Sequence, residues 1–507
     1  MLFTTSCSQL PTDNAPAKAD AQAVAAQWPE SAQASPQATP QLGLAPAQQG
    51  GTLDWQTYFT DPTLRQLLET ALQHNRDLRL ATLGTLQAQA QLGLRQADQW
   101  PTVNASVSGS RSPSSAGSIN SAYAGGLLVT AYELDFFGRV NSLKAQALAQ
   151  YLASTEAAHT ARISLLATVA QSWLALLADE ELLGVTRQTL DTRAQSLKLI
   201  ELKFQHGAAS ELDRQLAQTL LEATRVTHAQ QTRQRALDEN TLVLLLGQAL
   251  PAPAQQALAA ARSAANTATG QQTLAAAAAS PAITPAKAAP AAGGVTALAM
   301  GATHLSQLQL AELPPGLPSA VLTRRPDIRQ AELLLQASHA NIDAARAAFF
   351  PRISLTAGVG SASSALANLF TAGSWGWTLA PQLVLPIFDA GRNQSNLQAA
   401  QVARDVALAQ YDKAIQTAFR EVADALASRA SLAQQVQASQ ALLAAETQRH
   451  TLTQLRLTHG AASQLDALDA QRSLFAAQQS AVQSRLAYLQ NQVQLFKVLG
   501  GGASPAH

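Results

Sequence analysis

His206-Gly207-Ala208-Ala209-Ser210 recurs, residue for residue, as His459-Gly460-Ala461-Ala462-Ser463. Each copy stands between two long runs of helix-forming sequence. Gly207 and Gly460 suit the left-handed conformation that closes a helix, and Ser210 and Ser463 suit the N-cap of the next one, where a side-chain oxygen accepts a backbone N–H. Both copies therefore read as tips of helical hairpins. Gly138-Arg139 and Gly391-Arg392 stand at the same offset as the two tips, which predicts an internal duplication.

Outward from the first tip, a run without proline extends back from Gln205 to about Val140. Val169, Leu176, Leu183, Leu190, Leu197 and Phe204 occupy every seventh position in it, the signature of a coiled-coil-like seam. At about 1.5 Å per residue this helix would be on the order of 100 Å long. After the tip, Glu211 to about Leu246 is helical again and closes at Gly247. Further upstream, Asp61-Pro62 opens a helix reaching about Gln99, with Pro62 suited to the first helical position and Leu64, Leu67, Leu68, Ala71 and Leu72 on its apolar face. The helices flanking the long one are each about half its length, which predicts one long helix beside two half-length ones stacked end to end.

Trp100-Pro101 stops the first helix, and the period changes from 3.6 to 2. Val103, Ala105 and Val107 alternate with Asn104, Ser106 and Ser108, and after a Ser/Gly/Pro-rich loop a less regular strand runs from about Tyr123 to Leu134. The second half repeats the plan. Arg325-Pro326-Asp327 opens a helix that ends at Phe349-Phe350-Pro351; Ile353, Leu355, Ala357 and Val359 then alternate with small and polar residues. Trp375, Trp377, Leu379, Leu383, Leu385 and Ile387 share one face of the next strand, and a long helix, the second tip and a last helix to Val498-Leu499-Gly500 follow.

The expected organisation is a lipoprotein-signal remnant at 1–7, an extended lead at 8–51 that Trp55, Tyr58 and Phe59 anchor to the body, and a first repeat at 52–247. An Ala/Pro-rich flexible linker at 248–303, a second repeat at 304–500 and a tail at 501–507 complete it. Leu2-Phe3-Thr4-Thr5-Ser6-Cys7 resembles the end of a lipoprotein signal in which Cys7 takes the lipid, although no basic segment precedes it and Thr4 replaces an aliphatic residue; an incidental cysteine is the alternative. Cys7 is the single cysteine, so a disulfide framework is excluded.

A net charge of +1 with 13% charged residues excludes a nucleic-acid binder, and 47% hydrophobic with only 5% aromatic residues suits long helices packed through small side chains. No stretch approaches the roughly 18 to 20 apolar residues of a membrane-spanning helix. No nucleotide loop, metal-ligand cluster or catalytic constellation stands out, which predicts neither enzyme activity nor a cofactor. Four half-apolar strands leave open edges, and a membrane barrel needs at least eight, so strands that enter a membrane require assembly of several copies. Trp100, Phe349, Phe350, Trp375 and Trp377 fall at or near strand ends, where a membrane-interface girdle places aromatics. An ordinary soluble sheet is the alternative, and Pro381 and Pro386 count towards it.

Several segments, in order, make a resemblance specific: Tyr132-Glu133-Leu134-Asp135-Phe136-Phe137-Gly138-Arg139, Leu322-Thr323-Arg324-Arg325-Pro326-Asp327-Ile328, Ala347-Ala348-Phe349-Phe350-Pro351 and Pro386-Ile387-Phe388-Asp389-Ala390-Gly391-Arg392. From about Thr52 to Gly500 the chain resembles the TolC-like outer-membrane efflux factor family, in its lipoprotein branch that serves resistance-nodulation-division pumps. The resemblance implies an α+β membrane protein: a homotrimer whose four strands per chain form a 12-stranded barrel continuous with a long α-helical coiled-coil barrel. It also implies a lipid-anchored protein in the outer membrane of a Gram-negative bacterium with a large periplasmic part, docked by a periplasmic adaptor (membrane fusion) protein and an inner-membrane proton-driven transporter. The linker is longer than the family pattern.

By the same resemblance, Arg456, His459, Gly460 and Ser463 match the adaptor-docking tip, with Lys203, His206, Gly207 and Ser210 as first-repeat counterparts. Leu465, Asp466, Asp469 and Arg472 match the residues around the periplasmic aperture. Asp466 also suits helix capping from three residues after Ser463, as does Asp213 after Ser210; Asp469 has Leu216 as its counterpart, and with Arg472 makes a plausible helical ion pair. Six tip imidazoles in a trimer would make docking pH-sensitive, unless they are solvated turn residues. The functional expectation is a passive exit duct for small molecules; the alternatives are the outer channel of a type I protein-secretion system, or a soluble periplasmic coiled-coil scaffold or adaptor.

Overall fold

The computed structural model describes residues 54–113, 119–263, 305, 307–308, 310–311 and 325–501. Its elements are α1 (Trp55–Tyr58), α2 (Pro62–His74), α3 (Arg76–Ala97), β1 (Val103–Pro113), β2 (Ile119–Leu134), α4 (Arg139–Gln205) and α5 (Glu211–Leu246). Then come α6 over 252–263, α7 (Pro326–Ala347), β3 (Arg352–Ser363), β4 (Trp375–Val384), α8 (Arg392–Thr458) and α9 (Gln464–Val498). The chain divides into two compact units. One holds the sheet with most of α3 and α7 and the stretches of α4 and α8 up to Ala157 and Thr417; the other holds α1, α2, α5, α6, α9 and the rest of α4 and α8.

The duplication is visible in the helices, since α4 and α8 each have 67 residues and α5 and α9 have 36 and 35. In the first unit the strands form one antiparallel meander in the order β1-β2-β3-β4. Its register explains the alternating sequence. Val103, Val129, Ala357 and Leu379 stand in one cross-strand row, Ala105, Leu127, Val359 and Trp377 in the next, and Val107, Gly125, Ser361 and Trp375 in a third. All three rows share one face, because side chains two apart do. Between them, on the other face, lie Asn104, Leu128, Gly358 and Thr378, and then Ser106, Gly126, Gly360 and Gly376. The irregularity of β2 has a cause: the register shifts between Val129 and Tyr132, where Ala131 takes a φ of 49°. This bulge changes the phase, so that Tyr132 and Leu134 join the apolar face opposite Leu355 and Ile353.

Three boundaries differ from the sequence expectation. The helix expected from Asp61 to Gln99 breaks at Asn75, which is extended; its Oδ1 accepts the Leu78 amide at 2.8 Å and its Nδ2 donates to the Leu245 carbonyl at 2.8 Å. Gly247, at φ 69°, packs so closely there that a Cβ would come within 2.3 Å of the His74 carbonyl oxygen. The start of the expected linker is structured: α6 buries Ala254, Ala257, Leu258 and Ala261, and its Arg262 pairs with Glu180 of α4 at 2.8 Å. Only the remainder of the linker, from 264, lies outside the described residues. Finally, β4 stops at Val384, leaving Leu385 and Ile387 beyond it; Pro386 follows at once and cannot donate to a ladder. Pro381 lies in β4, opposite Leu355 of β3, and β4 is an edge strand within one copy.

The core of the second unit gathers on α4, where Leu166, Val169, Trp173, Leu174, Leu176, Leu177 and Leu183 have no exposed surface. This corrects the expectation that no stretch reaches membrane-spanning composition, because α4 contains one such window by length and apolarity; 61% of it is buried inside the fold, so it serves the core. Tyr58 stacks on Phe496 at 4.6 Å and Phe59 meets the same ring edge-on at 5.3 Å, while the Tyr58 hydroxyl donates to the Gln492 carbonyl at 2.9 Å. Of the three aromatics expected to anchor the lead, Tyr58 and Phe59 thus pack against α9, and the lead itself lies outside the described residues. Arg325 of the Arg-Pro-Asp segment is buried and donates to the Val498 carbonyl and to Glu421 at 3.0 and 2.8 Å.

Candidate functional site

Two identical turns close the hairpins. At the first, the Gly207 amide donates to the Phe204 carbonyl at 3.0 Å and the Ala208 amide to the Lys203 carbonyl at 2.8 Å, with Gly207 at φ 71°. At the second, the Gly460 amide donates to the Leu457 carbonyl at 3.1 Å and the Ala461 amide to the Arg456 carbonyl at 2.8 Å, with Gly460 at φ 74°. Both are Schellman caps, which satisfy the last helix carbonyls through a left-handed residue. A capping box opens each following helix. Ser210 and Asp213 bond reciprocally at 3.1 Å in both directions, and Ser463 and Asp466 do so at 2.9 and 3.1 Å. The serine hydrogen bonds, side chain first and backbone second, hold the Asp213 and Asp466 carboxyls below the usual carboxylate range. His206, His459, Ala208 and Ala461 are exposed, and Lys203 is half-buried.

Beyond the turns the hairpins diverge. In the first, the Arg214 guanidinium lies over the Phe204 ring at 4.9 Å and pairs with Glu211 at 2.6 Å. In the second, the Arg456 guanidinium donates to the Ala461 carbonyl at 3.1 Å, across the turn. Between the hairpins Leu468 of α9 is buried with Ile200 of α4 and Ala217 of α5, and Leu216 packs on the same cluster. Burying a leucine at such a point contributes about 1.5–3 kcal/mol.

Asp469, the repeat counterpart of Leu216, faces outward and is 42% exposed. Arg472 donates to its Oδ1 at 2.7 Å, and Arg449 of α8, itself paired with Glu446 at 2.7 Å, donates to its Oδ2 at 3.3 Å. Sequence reasoning missed Arg449, which lies twenty positions from Asp469 on the other arm of the hairpin; only the antiparallel pairing of α8 with α9 joins them. Asp466 is engaged in the cap, and Leu465 is 55% exposed beside it. Exposed pairs of this kind stabilise a fold by tenths of a kcal/mol, so their contribution to holding the hairpin together is small.

In the first unit, Trp375 and Trp377 are 65% and 77% exposed at the start of β4, while Trp100, Phe349 and Phe350 are exposed just before β1 and β3. β3 pairs Ser361 with Trp375 and Arg352 with Val384. Nine residues at about 3.3 Å each thus separate the two aromatic groups by roughly 30 Å along the strand, the scale of a bilayer's apolar core. Phe136 and Phe137 join the second group, Phe137 stacking on Phe350 at 4.9 Å, and Ile387 and Phe388 are almost fully exposed. Exposed aromatics flanking strand ends were the available signal for Phe136, Phe137 and Phe388. Glu133 at the end of β2 accepts from Arg139 at 2.8 and 2.6 Å and pairs with Arg352 at 2.6 Å, fastening two strand ends to the start of α4. Cys7 lies outside the described residues.

A sheet with one apolar and one polar face, aromatic groups about a bilayer apart and open edges, in the same chain as 67-residue helices, defines a β-type membrane protein with a large helical body. The chain belongs to the family described as outer membrane efflux protein, whose sequence profile matches residues 67–248 and 317–501. It is 40% identical over 503 residues to the antibiotic efflux pump outer membrane protein ArpC of Pseudomonas putida, covering 98% of this chain and 93% of that one. It is 41% identical over 486 residues to the toluene efflux pump outer membrane protein TtgC, also of Pseudomonas putida, covering 94% and 90%. Its fold is similar to the open state of the Neisseria gonorrhoeae MtrE outer membrane channel, with a TM-score of 0.78, 31% identity and coverage of 98% and 99%. The protein is an outer-membrane efflux protein of the TolC-like fold.

Proposed function

We propose that the chain is the exit duct of a tripartite efflux pump, a homotrimer that conducts small molecules passively from periplasm to exterior. The observation that carries this is the sheet. A four-stranded meander has β1 and β4 antiparallel to each other, so β4 of one copy can join β1 of the next and keep the whole ladder antiparallel. Every residue of both edge strands is exposed in one copy. Three copies give 12 strands, and the barrel then has no edge. The row Ser106, Gly126, Gly360 and Gly376 would face the lumen with almost no side chain, which favours a wide, unselective passage. The protein itself then carries out no chemical step.

In this reading the exposed tips receive the hairpin of a periplasmic adaptor, which couples the duct to an inner-membrane proton-driven transporter. Leu465, Asp466, Asp469 and Arg472, together with Arg449, surround the aperture, and Cys7 carries the lipid anchor. Relatives named for antibiotic and toluene efflux favour small-molecule cargo over the proteins of a type I secretion system. The test is complementation of a Gram-negative strain lacking its own outer-membrane duct, with cognate adaptor and transporter supplied. Restored extrusion of a fluorescent dye, lost again when Gly460 is replaced by Val, is the expected result. A chain that reaches the outer membrane as trimers and restores no extrusion would sink the proposal.

A further inference from the structure

The connection between β3 and β4, residues 364–374, does not rise freely from the sheet. Its 3-10 turn at Leu366–Asn368 brings Leu369 back against the sheet, where only 4% of it remains exposed. The contacts identify which face it covers. The Leu369 side chain lies 4.0 Å from where a Cβ of Gly125 would stand, beside Val107 at 3.8 Å. The Leu369 carbonyl accepts from the Ser361 hydroxyl and, at 2.9 Å, from the Ser374 hydroxyl. Val107, Gly125 and Ser361 form one cross-strand row with Trp375, on the apolar face. The connection is therefore folded onto the membrane-type face and away from the polar one. On it, Leu366 and Phe370 remain 66% and 76% exposed, next to Trp375 at 65%.

We infer that residues 364–374 form a flap that lies in the lipid headgroup and upper acyl-chain region, with Leu366 and Phe370 as anchors continuing the Trp375 and Trp377 group. This rests on the reading of the apolar face as the lipid-facing one. The occupant is lipid because the flap extends a face that is already apolar, in a protein of the outer membrane. A further consequence is that this connection leaves the exit of the duct uncovered.

Single cysteines test the flap in a background with Cys7→Ser, each labelled with an environment-sensitive fluorophore. The proteins are reconstituted in phosphatidylcholine vesicles containing a phosphatidylcholine spin-labelled near the top of its acyl chain. Phe370→Cys should lose emission to the lipid label by a fraction similar to Leu379→Cys on the apolar face, and aqueous iodide should quench it weakly. Thr378→Cys on the polar face should show the reverse. Lipid quenching of Leu379→Cys without that of Phe370→Cys would overturn the flap, whether the residue then proves open to iodide or covered by a neighbouring copy. No lipid quenching at Leu379→Cys would overturn the assignment of the face itself.

Discussion

The two hairpins end in the same turn, and each carries a charged cluster that the other lacks. Hairpin one, α4 with α5, carries a buried acidic cluster far from its tip. Glu180 accepts from Arg235 and Arg262 at 2.5 and 2.9 Å, and Asp179 beside it shares a hydrogen bond with Asp238. At the matching positions of hairpin two, α8 with α9, stand Leu432, Ala433 and Asn491. Hairpin two has its own cluster beyond the tip, where Arg449, Asp469 and Arg472 stand against Ser196, Leu216 and Thr219 of hairpin one. A duplicated hairpin thus kept the cap that any such turn needs and diverged in the charged groups along its arms. One copy is fastened to α6 at its root, and the other is cross-linked near its tip by the ion pairs of Asp469 with Arg449 and Arg472.

The largest effect expected is at the tip of hairpin two. Asp469→Ala combined with Arg472→Ala should raise single-channel conductance in a planar bilayer several-fold, and adding Arg449→Ala should raise it further. The matched pair in hairpin one, Leu216→Ala with Thr219→Ala, should leave conductance near that of the parent. Unchanged conductance in the first variant would remove these residues from the aperture. An equal rise in both would abolish the distinction between the hairpins.

At the root of hairpin one the expected effect is on stability. Burial, followed by the hydrogen bond and charge of Asp238 and the charge of Glu180, pushes the Asp179 carboxyl up to about 7, against the smaller opposing effect of Arg235. A carboxyl raised on folding keeps a proton that the unfolded chain has released. Its contribution is therefore complete below the ordinary aspartate range near 4 and is lost as pH rises towards 7. Asp179→Asn should remove this dependence, gaining stability over the parent at pH 8 and little at pH 4, by a few kcal/mol at most. Thermal melts followed by helical circular dichroism at the two pH values check it; a variant curve parallel to the parent's would refute the assignment. Hairpin two, with Leu432 and Asn491 in these places, has nothing to titrate there.

Of the asymmetry, only the replacement of Leu216 by Asp469 and its pairing with Arg472 could be read before any coordinates, whereas caps and strand faces were legible because they are local. Ser-x-x-Asp specifies a capping box through backbone groups three residues away, and alternation specifies a face through the pleat alone. What escaped reading depends on partners distant in sequence. Asn75 ends a helix because the Leu245 carbonyl is there to accept from it. Residues 252–263 look like a linker by composition and become a helix because α4 offers Glu180 to Arg262. Arg449 is one of several arginines along α8 until the hairpin folds it against Asp469. The bulge at Ala131 showed only as a lapse in alternation, and pairing with β3 turned that lapse into a phase change.

The smallest effect belongs to what the hairpins share, and it tests whether the turns are equivalent. Ser210→Ala and Ser463→Ala each remove the hydroxyl that accepts from the Asp213 or Asp466 amide, a loss of about 1 kcal/mol for a typical serine N-cap. The two should be destabilised alike, as read by amide hydrogen exchange in the first turns of α5 and α9. Because the serine contacts hold both aspartates below the usual carboxylate range, the caps are complete at neutral pH and should persist at pH 5.5; they fail only as pH falls through those depressed values. Any change in adaptor affinity between pH 7.5 and 5.5 must then come from groups outside the caps. A larger loss of protection at tip one than at tip two would have a specific cause, since only tip two has an arginine, Arg456, that also donates to its turn carbonyl at Ala461. Arg456→Ala in the Ser463→Ala background should then erase the difference.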